Sequence, residues 1–234
     1  MQVGTELVVF SNVAIIVISL IVGLYLIRLW HSQANRLITD LPLVFAISVM
    51  SNAINMVMII LPLIAEFTPP MEYFRLRTMV IGATVVPIIG AMLQIWLSSK
   101  KKYHNRILLL FGAYWSSVAL LGPTQEIIMM LCIPLLLASG VVIVATFIIT
   151  WKTGRLTEVR SDLMIISTVF SMGSQVFRVS LASTPLFYIP DVFLMISFII
   201  IGFGFAIPHR NRKKESEREP KSRVQQDIDV AVPV

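Results

Sequence analysis

An arginine and a glutamine lie among hydroxyl side chains in an apolar stretch that runs from position 161 to 184. The polar residues of this stretch follow one another at helical spacing and therefore share one face of an α-helix. They are Ser167, Ser171, Ser174, Gln175 and Arg178. An arginine that faced lipid would cost about 2.5 kcal/mol or more. We therefore expect this face to look into protein or water, with Arg178 inside a bundle of helices.

A guanidinium in that position can do one of two things. It can pair with an acidic residue from a neighbouring loop, Asp191 or Glu126, and act as a structural clamp. It can instead face a cavity that opens outward and attract an anion or a carboxylate. The sequence leaves both alternatives open.

A second apolar stretch repeats the pattern. Ser48, Ser51, Asn52 and Asn55 form one helical stripe near the expected midplane of the membrane. Such a stripe either joins packed helices by hydrogen bonds or forms one wall of a hydrated cavity. Arg75 and Arg77 lie at the outer end of the third stretch, where long side chains can extend to the membrane surface.

The composition indicates an integral membrane protein. Hydrophobic residues make up 56% of the 234 positions and charged residues 14%, with a mean hydropathy of +0.83. Soluble domains average about 45–50% apolar and about 25% charged residues. The single cysteine, Cys132, excludes an intrachain disulfide, and His31, His104 and His209 lack metal-ligand spacing. No carboxylate is expected mid-span, so we predict no cofactor, no metal, no proton relay and no enzymatic activity.

The elements that must position these residues are seven apolar runs of roughly membrane-spanning length. They are 7–30, 41–65, 73–97, 107–122, 127–151, 162–184 and 192–207. The predicted fold is therefore all-α, a polytopic bundle of seven transmembrane helices. From position 209 to 234 the chain is highly charged with few large apolar residues, and we expect a disordered tail there.

The distribution of charge predicts the orientation. Every lysine and arginine except Arg75, Arg77 and Arg178 falls at the end of, or after, the first, third, fifth or seventh run. The positive-inside rule then places the N-terminus outside and the tail in the cytoplasm of a cell-membrane protein. This basic rim can hold anionic lipid or can simply direct topology. Nucleic-acid binding is not expected, because orientation accounts for the charge.

We therefore expect a receptor-like or sensory protein with an outward-facing polar pocket between the second, third and sixth helices. Its ligand is expected to be small and polar or anionic, and a separate membrane or cytoplasmic partner would carry the signal. The candidate ligand-binding residues are Ser51, Asn52, Asn55, Arg77, Ser171, Ser174, Gln175 and Arg178. The alternatives are a small transporter or channel subunit and an assembly subunit of a larger complex. Polarity on the sixth run fades below Ser167, which favours a pocket over a pore.

Overall fold

The computed structural model describes residues 2–33, 37, 40–96, 101–154, 156, 159–181, 186 and 188–207, and for 2–5, 101, 102, 179 and 180 the backbone alone. The described residues form seven α-helices. They are α1 (Gln2–His31), α2 (Leu41–Ile64), α3 (Met71–Trp96), α4 (Lys101–Leu121), α5 (Gln125–Thr153), α6 (Ser161–Ser180) and α7 (Ile189–Ala206). The predicted tail at 209–234 lies outside the described residues.

Five helices are long and apolar enough to cross a membrane: α1 from Glu6, α2, α3, α5 and α7. The all-helical, membrane-embedded fold class is thereby supported. In the described chain α4 and α6 fall outside this group, because basic residues open α4 and the polar stripe lowers the hydropathy of α6. Passage of α4 and α6 through the bilayer stays a prediction, as does the orientation of the bundle.

The helix ends follow local chemistry. The side chain of Thr124 caps α5 by accepting a hydrogen bond from the Ile127 amide at 3.4 Å, and Gly154 ends α5 in a left-handed conformation with φ +63°. Prolines open α2 and α7, where a missing amide proton leaves no helical bond unmade. Helix α4 begins at Lys101 rather than 107, because basic side chains extend a helix beyond its apolar part.

The helices form a ring. Packing runs from α1 to α2, α3, α5, α6, α7 and back to α1, while α4 lies against α3 and α5. Among the described residues, neither α2 nor α3 packs extensively against α6. The ring therefore places α2 and α3 across the interior from α6 and α7, with α1 and α5 between them.

Helices α1 and α7 run parallel. Ser11 contacts Asp191, and Val22 lies beside Gly202, so two points along the pair share the same separation of 180 residues. An odd number of alternating helices produces this arrangement. The start of α1 and the end of α7 consequently lie at opposite ends of the bundle.

Apolar side chains fill the ring and also cover its outside. Ile15, Leu26, Met56, Phe147 and Met164 are almost completely buried in the main core. Many large apolar side chains are instead exposed on the outer surface, and the most exposed include Phe10, Leu109, Leu121 and Met130. A surface of this kind is stable in lipid and would be an aggregation hazard in water.

Candidate functional site

The polar face of α6 looks into the bundle along its length. Ser167 and Ser174 are buried, and Ser171 and Arg178 are half-buried. Gln175 is exposed, although it lies on nearly the same face as the fully buried Met164, about three turns away. This face is therefore tightly packed near the start of α6, while near its end Gln175 and Arg178 are accessible and Ser174 is fully buried.

Arg178 pairs with Asp191, which decides between the two acidic partners that the sequence allowed. The Arg178 guanidinium donates to Asp191 Oδ1 at 2.5 Å from the last turn of α6. Asp191 lies in the first turn of α7, where the helix dipole favours a carboxylate. Its second oxygen, Oδ2, accepts a hydrogen bond from the Ser11 hydroxyl of α1 at 2.6 Å. One buried carboxylate thus joins three helices.

Arg77 lies about 9 Å along α3 from its first residue and is held by α2. Its Nε donates to Oδ1 of the buried Asn55 at 3.0 Å. No carboxylate of the described residues lies within ion-pair distance of Arg77. The guanidinium of Arg178 is close enough to repel that of Arg77 electrostatically. Two like charges therefore share one region of the bundle.

We call Ser11, Asn55, Arg77, Arg178 and Asp191 the outer polar cluster. It draws one residue from each of α1, α2, α3, α6 and α7. Its formal charge is +1, because it contains two guanidinium groups and one carboxylate. Among the candidate residues of the sequence, it contains Asn55, Arg77 and Arg178.

The remaining candidate residues lie one to two turns from the cluster. By helical spacing Asn52 lies at the centre of the inward face of α2, yet it is half-buried, and Ser51 is buried one turn from Asn55. Several buried polar atoms have no hydrogen-bond partner within the described chain, including Asn12 Oδ1, Ser19 Oγ, Asn52 Nδ2, Arg75 Nε, Gln94 Oε1 and Ser174 Oγ. Buried polar atoms in folded proteins normally have partners, so these unpaired atoms are exceptions within the described chain.

Two members of the cluster, Ser11 and Asp191, were not among the candidate binding residues. A signal for Asp191 exists in the sequence, since it is the one acidic residue between positions 163 and 207 and lies at the same end as Arg178. Ser11 carries no such signal, because a serine in an apolar helix commonly bonds to its own backbone. The Ser11 oxygen does lie 3.1 Å from the Val8 carbonyl, but its single proton goes to Asp191 Oδ2 at the shorter distance of 2.6 Å.

Arg75 differs from Arg77 although only one residue separates them. It donates to the Gly122 carbonyl at 3.2 Å, between α4 and α5, and so lies on the other side of α3. Arg75 therefore anchors α3 to its neighbours instead of only extending to the membrane surface.

The opposite end of the bundle contains paired polar groups. Ser167 and Ser197 hydroxyls lie 3.0 Å apart, Thr150 and Ser161 hydroxyls 3.3 Å apart, and Trp96 Nε1 donates to Thr146 at 2.9 Å. Arg160, just before α6, pairs with Asp162, and this hydrogen bond and charge raise the pKa of Arg160. These contacts join neighbouring helices below the outer polar cluster.

No three His, Cys, Asp or Glu side chains of the described ranges are grouped to hold a metal ion. Comparison with known proteins gives no further guide to the site: no family model, curated protein or solved structure matches this chain.

Proposed function

We propose that this chain is a non-enzymatic, receptor-like membrane protein that binds a small anionic ligand at the outer polar cluster. All seven helices cross the cell membrane in this proposal, with the N-terminus outside and the C-terminus in the cytoplasm. The observation that carries the proposal is the charge imbalance within the cluster, where Arg178 pairs with Asp191 while Arg77, which the charge of Arg178 repels, has no described carboxylate partner.

The imbalance favours a monoanion. Two like charges repel more strongly in a bundle surrounded by lipid than in water, because the effective dielectric is lower. An anion between Arg77 and Arg178 would relieve that repulsion and bring the cluster to neutrality. Arginine forms paired hydrogen bonds with planar oxyanions, which makes a carboxylate the best match.

The exposed fractions of inward-facing residues support an opening at the end of the bundle that holds the outer polar cluster. Gln175, Ser171 and Asn52 all lie on inward faces, and each retains solvent exposure. Deeper along α6, Ser167 and Met164 are almost fully buried. A ligand that enters between α2, α3 and α6 would thus reach the arginines before it met packed core.

The charge pattern supports placing this end outside. Arg28, Arg106, Lys152 and Arg160 all lie near the other ends of their helices or beside them, where the positive-inside rule expects cytoplasm. We further propose that this basic rim contacts anionic lipid headgroups, at about 1 kcal/mol per charge near the surface. A ligand-induced shift of helices would carry the signal to a partner at this face.

Transport of the same ligand is the second candidate. Ser19 Oγ on α1 and Gln94 Oε1 on α3 are buried without a described partner, and both lie deeper than the cluster. Such atoms could line a path through the bundle. The Ser167–Ser197 contact closes the α6–α7 side of that path in this conformation.

Binding of simple carboxylates by the purified protein in lipid nanodiscs tests the proposal. Lactate, benzoate and succinate would be titrated by calorimetry, with lactamide, benzamide and succinamide as uncharged controls. We expect at least one carboxylate to bind and its amide not to bind. Arg77→Gln should weaken binding on the order of tenfold or more, whereas Arg75→Gln, which removes the same charge on the other side of α3, should not.

Two outcomes would contradict the proposal. If none of the three acids binds, the chain has no anion site. If the Arg75→Gln and Arg77→Gln variants lose the same carboxylate affinity, the site is not at the outer polar cluster. Saturable uptake of the bound carboxylate into proteoliposomes would show that the chain is a transporter and not a receptor.

A further inference from the structure

The two carboxylate oxygens of Asp191 accept hydrogen bonds from two different helices. Oδ1 takes the Arg178 guanidinium of α6 and Oδ2 takes the Ser11 hydroxyl of α1. On the basis of the proposed function, we infer that Asp191 occupies the anion site when no ligand is bound. The carboxylate of the ligand then replaces Asp191 as the partner of Arg178. The ligand then takes the place that a carboxylate of the chain itself holds in the empty state.

The two partners differ in accessibility. The Arg178 side chain is 31% exposed, while that of Asp191 is 7% exposed. An incoming anion therefore meets the guanidinium first and approaches it from the open side. Arginine carries five N–H donors, so a second carboxylate can bind before the first has left. The exchange needs no state in which Arg178 lacks an anion.

Ser11 gives Asp191 a place to remain after the exchange. Its hydroxyl bonds to the oxygen that Arg178 does not use, and it belongs to a different helix. The first turn of α7 also favours a negative charge at this position. Asp191 consequently stays with α1 and α7 while Arg178 turns to the ligand.

The exchange changes how α6 is attached to α7. At the outer end the two helices are joined by the Arg178–Asp191 pair and by Phe193, which packs against Phe170 and Phe177. Deeper contacts, between Ser167 and Ser197 and between Arg160 N and Gly204 O, do not involve the site. Ligand binding thus removes the ionic contact between the outer ends of α6 and α7 and leaves the inner contacts in place.

If Asp191 competes with the ligand for Arg178, then replacing Asp191 should increase the affinity for carboxylates. Removing the charge of Asp191 removes the competitor, so Asp191→Asn should bind carboxylates more tightly, on the order of tenfold or more. The gain should be larger for the dianion succinate than for the monoanion lactate, because the variant cluster carries two positive charges. Removing any nearby negative charge also favours anion binding, so exchange itself is distinguished by the loss of the Arg178–Asp191 pair when the ligand binds.

Calorimetry in nanodiscs with lactate and succinate tests whether the affinity rises. Asp191→Asn and Asp191→Ser both remove the charge, and Asp162→Asn is the matched control, since Asp162 also pairs with an arginine but at the opposite end of α6. Tighter binding in either Asp191 variant with no change in Asp162→Asn supports the inference. Unchanged or weaker binding in a folded Asp191 variant overturns it, while binding by the natural chain still upholds the proposed function.

A second measurement does not depend on the folding of an Asp191 variant. In Asp162→Asn the described residues retain a single Arg–Asp ion pair, Arg178–Asp191. Dipolar recoupling between ¹⁵N-labelled arginine side chains and ¹³C-labelled aspartate carboxyls would report this pair in solid-state spectra through the coupling assigned to Arg178 and Asp191. Saturating succinate should abolish the coupling. A coupling that persists with bound succinate overturns the exchange, and failure of both acids to bind the natural chain would instead refute the proposed function.

Discussion

The indole ring of Trp115 lies against the backbone of Gly82. A Cβ at position 82 would come within 2.4 Å of the indole Nε1, which is closer than any packed structure permits. The same Nε1 donates to the Thr78 carbonyl at 2.9 Å, one turn earlier in α3. This contact fixes the peripheral α4 on α3, the helix that carries Arg77.

Gly82→Ala should therefore destabilise the protein, although alanine is the better helix former. Overpacking costs about 1–3 kcal/mol, and the gain in helix propensity is only about 0.5–1 kcal/mol. Gly112→Ala on α4 is the control, since no heavy atom lies within 4 Å of a Cβ built there. Thermal unfolding in detergent should give a lower Tm for Gly82→Ala and an equal or higher Tm for Gly112→Ala. Equal values for the two variants would refute this packing.

Arg178→Gln should lower stability markedly because it leaves the buried Asp191 carboxylate without its cation. Breaking a buried ion pair from one side costs about 3–5 kcal/mol. Pairing Arg178→Gln with Asp191→Asn should recover part of the loss, since no unpaired charge then remains. Arg160→Gln, which breaks the more exposed pair at the inner end, should leave the Tm nearly unchanged. Thermal unfolding of these three variants checks this, and a Tm of Arg178→Gln no lower than that of Arg160→Gln would contradict it.

Tyr73→Phe should weaken the joint between α2 and α3. The Tyr73 hydroxyl donates to the Met58 carbonyl at 2.7 Å. Losing one such bond costs about 0.5–1.5 kcal/mol. Tyr114→Phe on the exposed face of α4 is the matched control, with 44% of Tyr114 exposed. Chemical unfolding in mixed micelles should separate the two variants, and identical curves would show that the hydroxyl contact contributes nothing.

Crossing of the membrane by α4 and α6 predicts a labelling pattern. In a Cys132→Ser background, single cysteines would replace exposed residues near helix ends: Glu72, Tyr103, Glu126, Lys152 and Leu186. An impermeant maleimide should label positions 72, 126 and 186 on intact cells, and positions 103 and 152 only after permeabilisation. Labelling of 103 and 126 from the same side would show that α4 does not cross.

Much of the candidate site was accessible to sequence reasoning because helical spacing is local. The intervals between Ser171, Ser174 and Arg178 put them on one face whatever surrounds the helix. The cost of an arginine in lipid then required an inward orientation. Nothing in the spacing showed that Gln175 would remain exposed, because exposure depends on how neighbouring helices converge.

The sequence by itself determined the class of this protein: apolar runs of membrane length, polar stripes on α2 and α6, and a charge pattern that predicts orientation. These follow from rules that act within one helix or at one membrane surface. Only the tertiary structure decided that Asp191 and not Glu126 pairs with Arg178, that Ser11 shares that carboxylate, and that Arg77 bonds to Asn55 while Arg75 bonds to Gly122. The reason is that the partner of a long polar side chain is set by which helices are neighbours in the ring, and neighbours far apart in the chain leave no local periodicity to read.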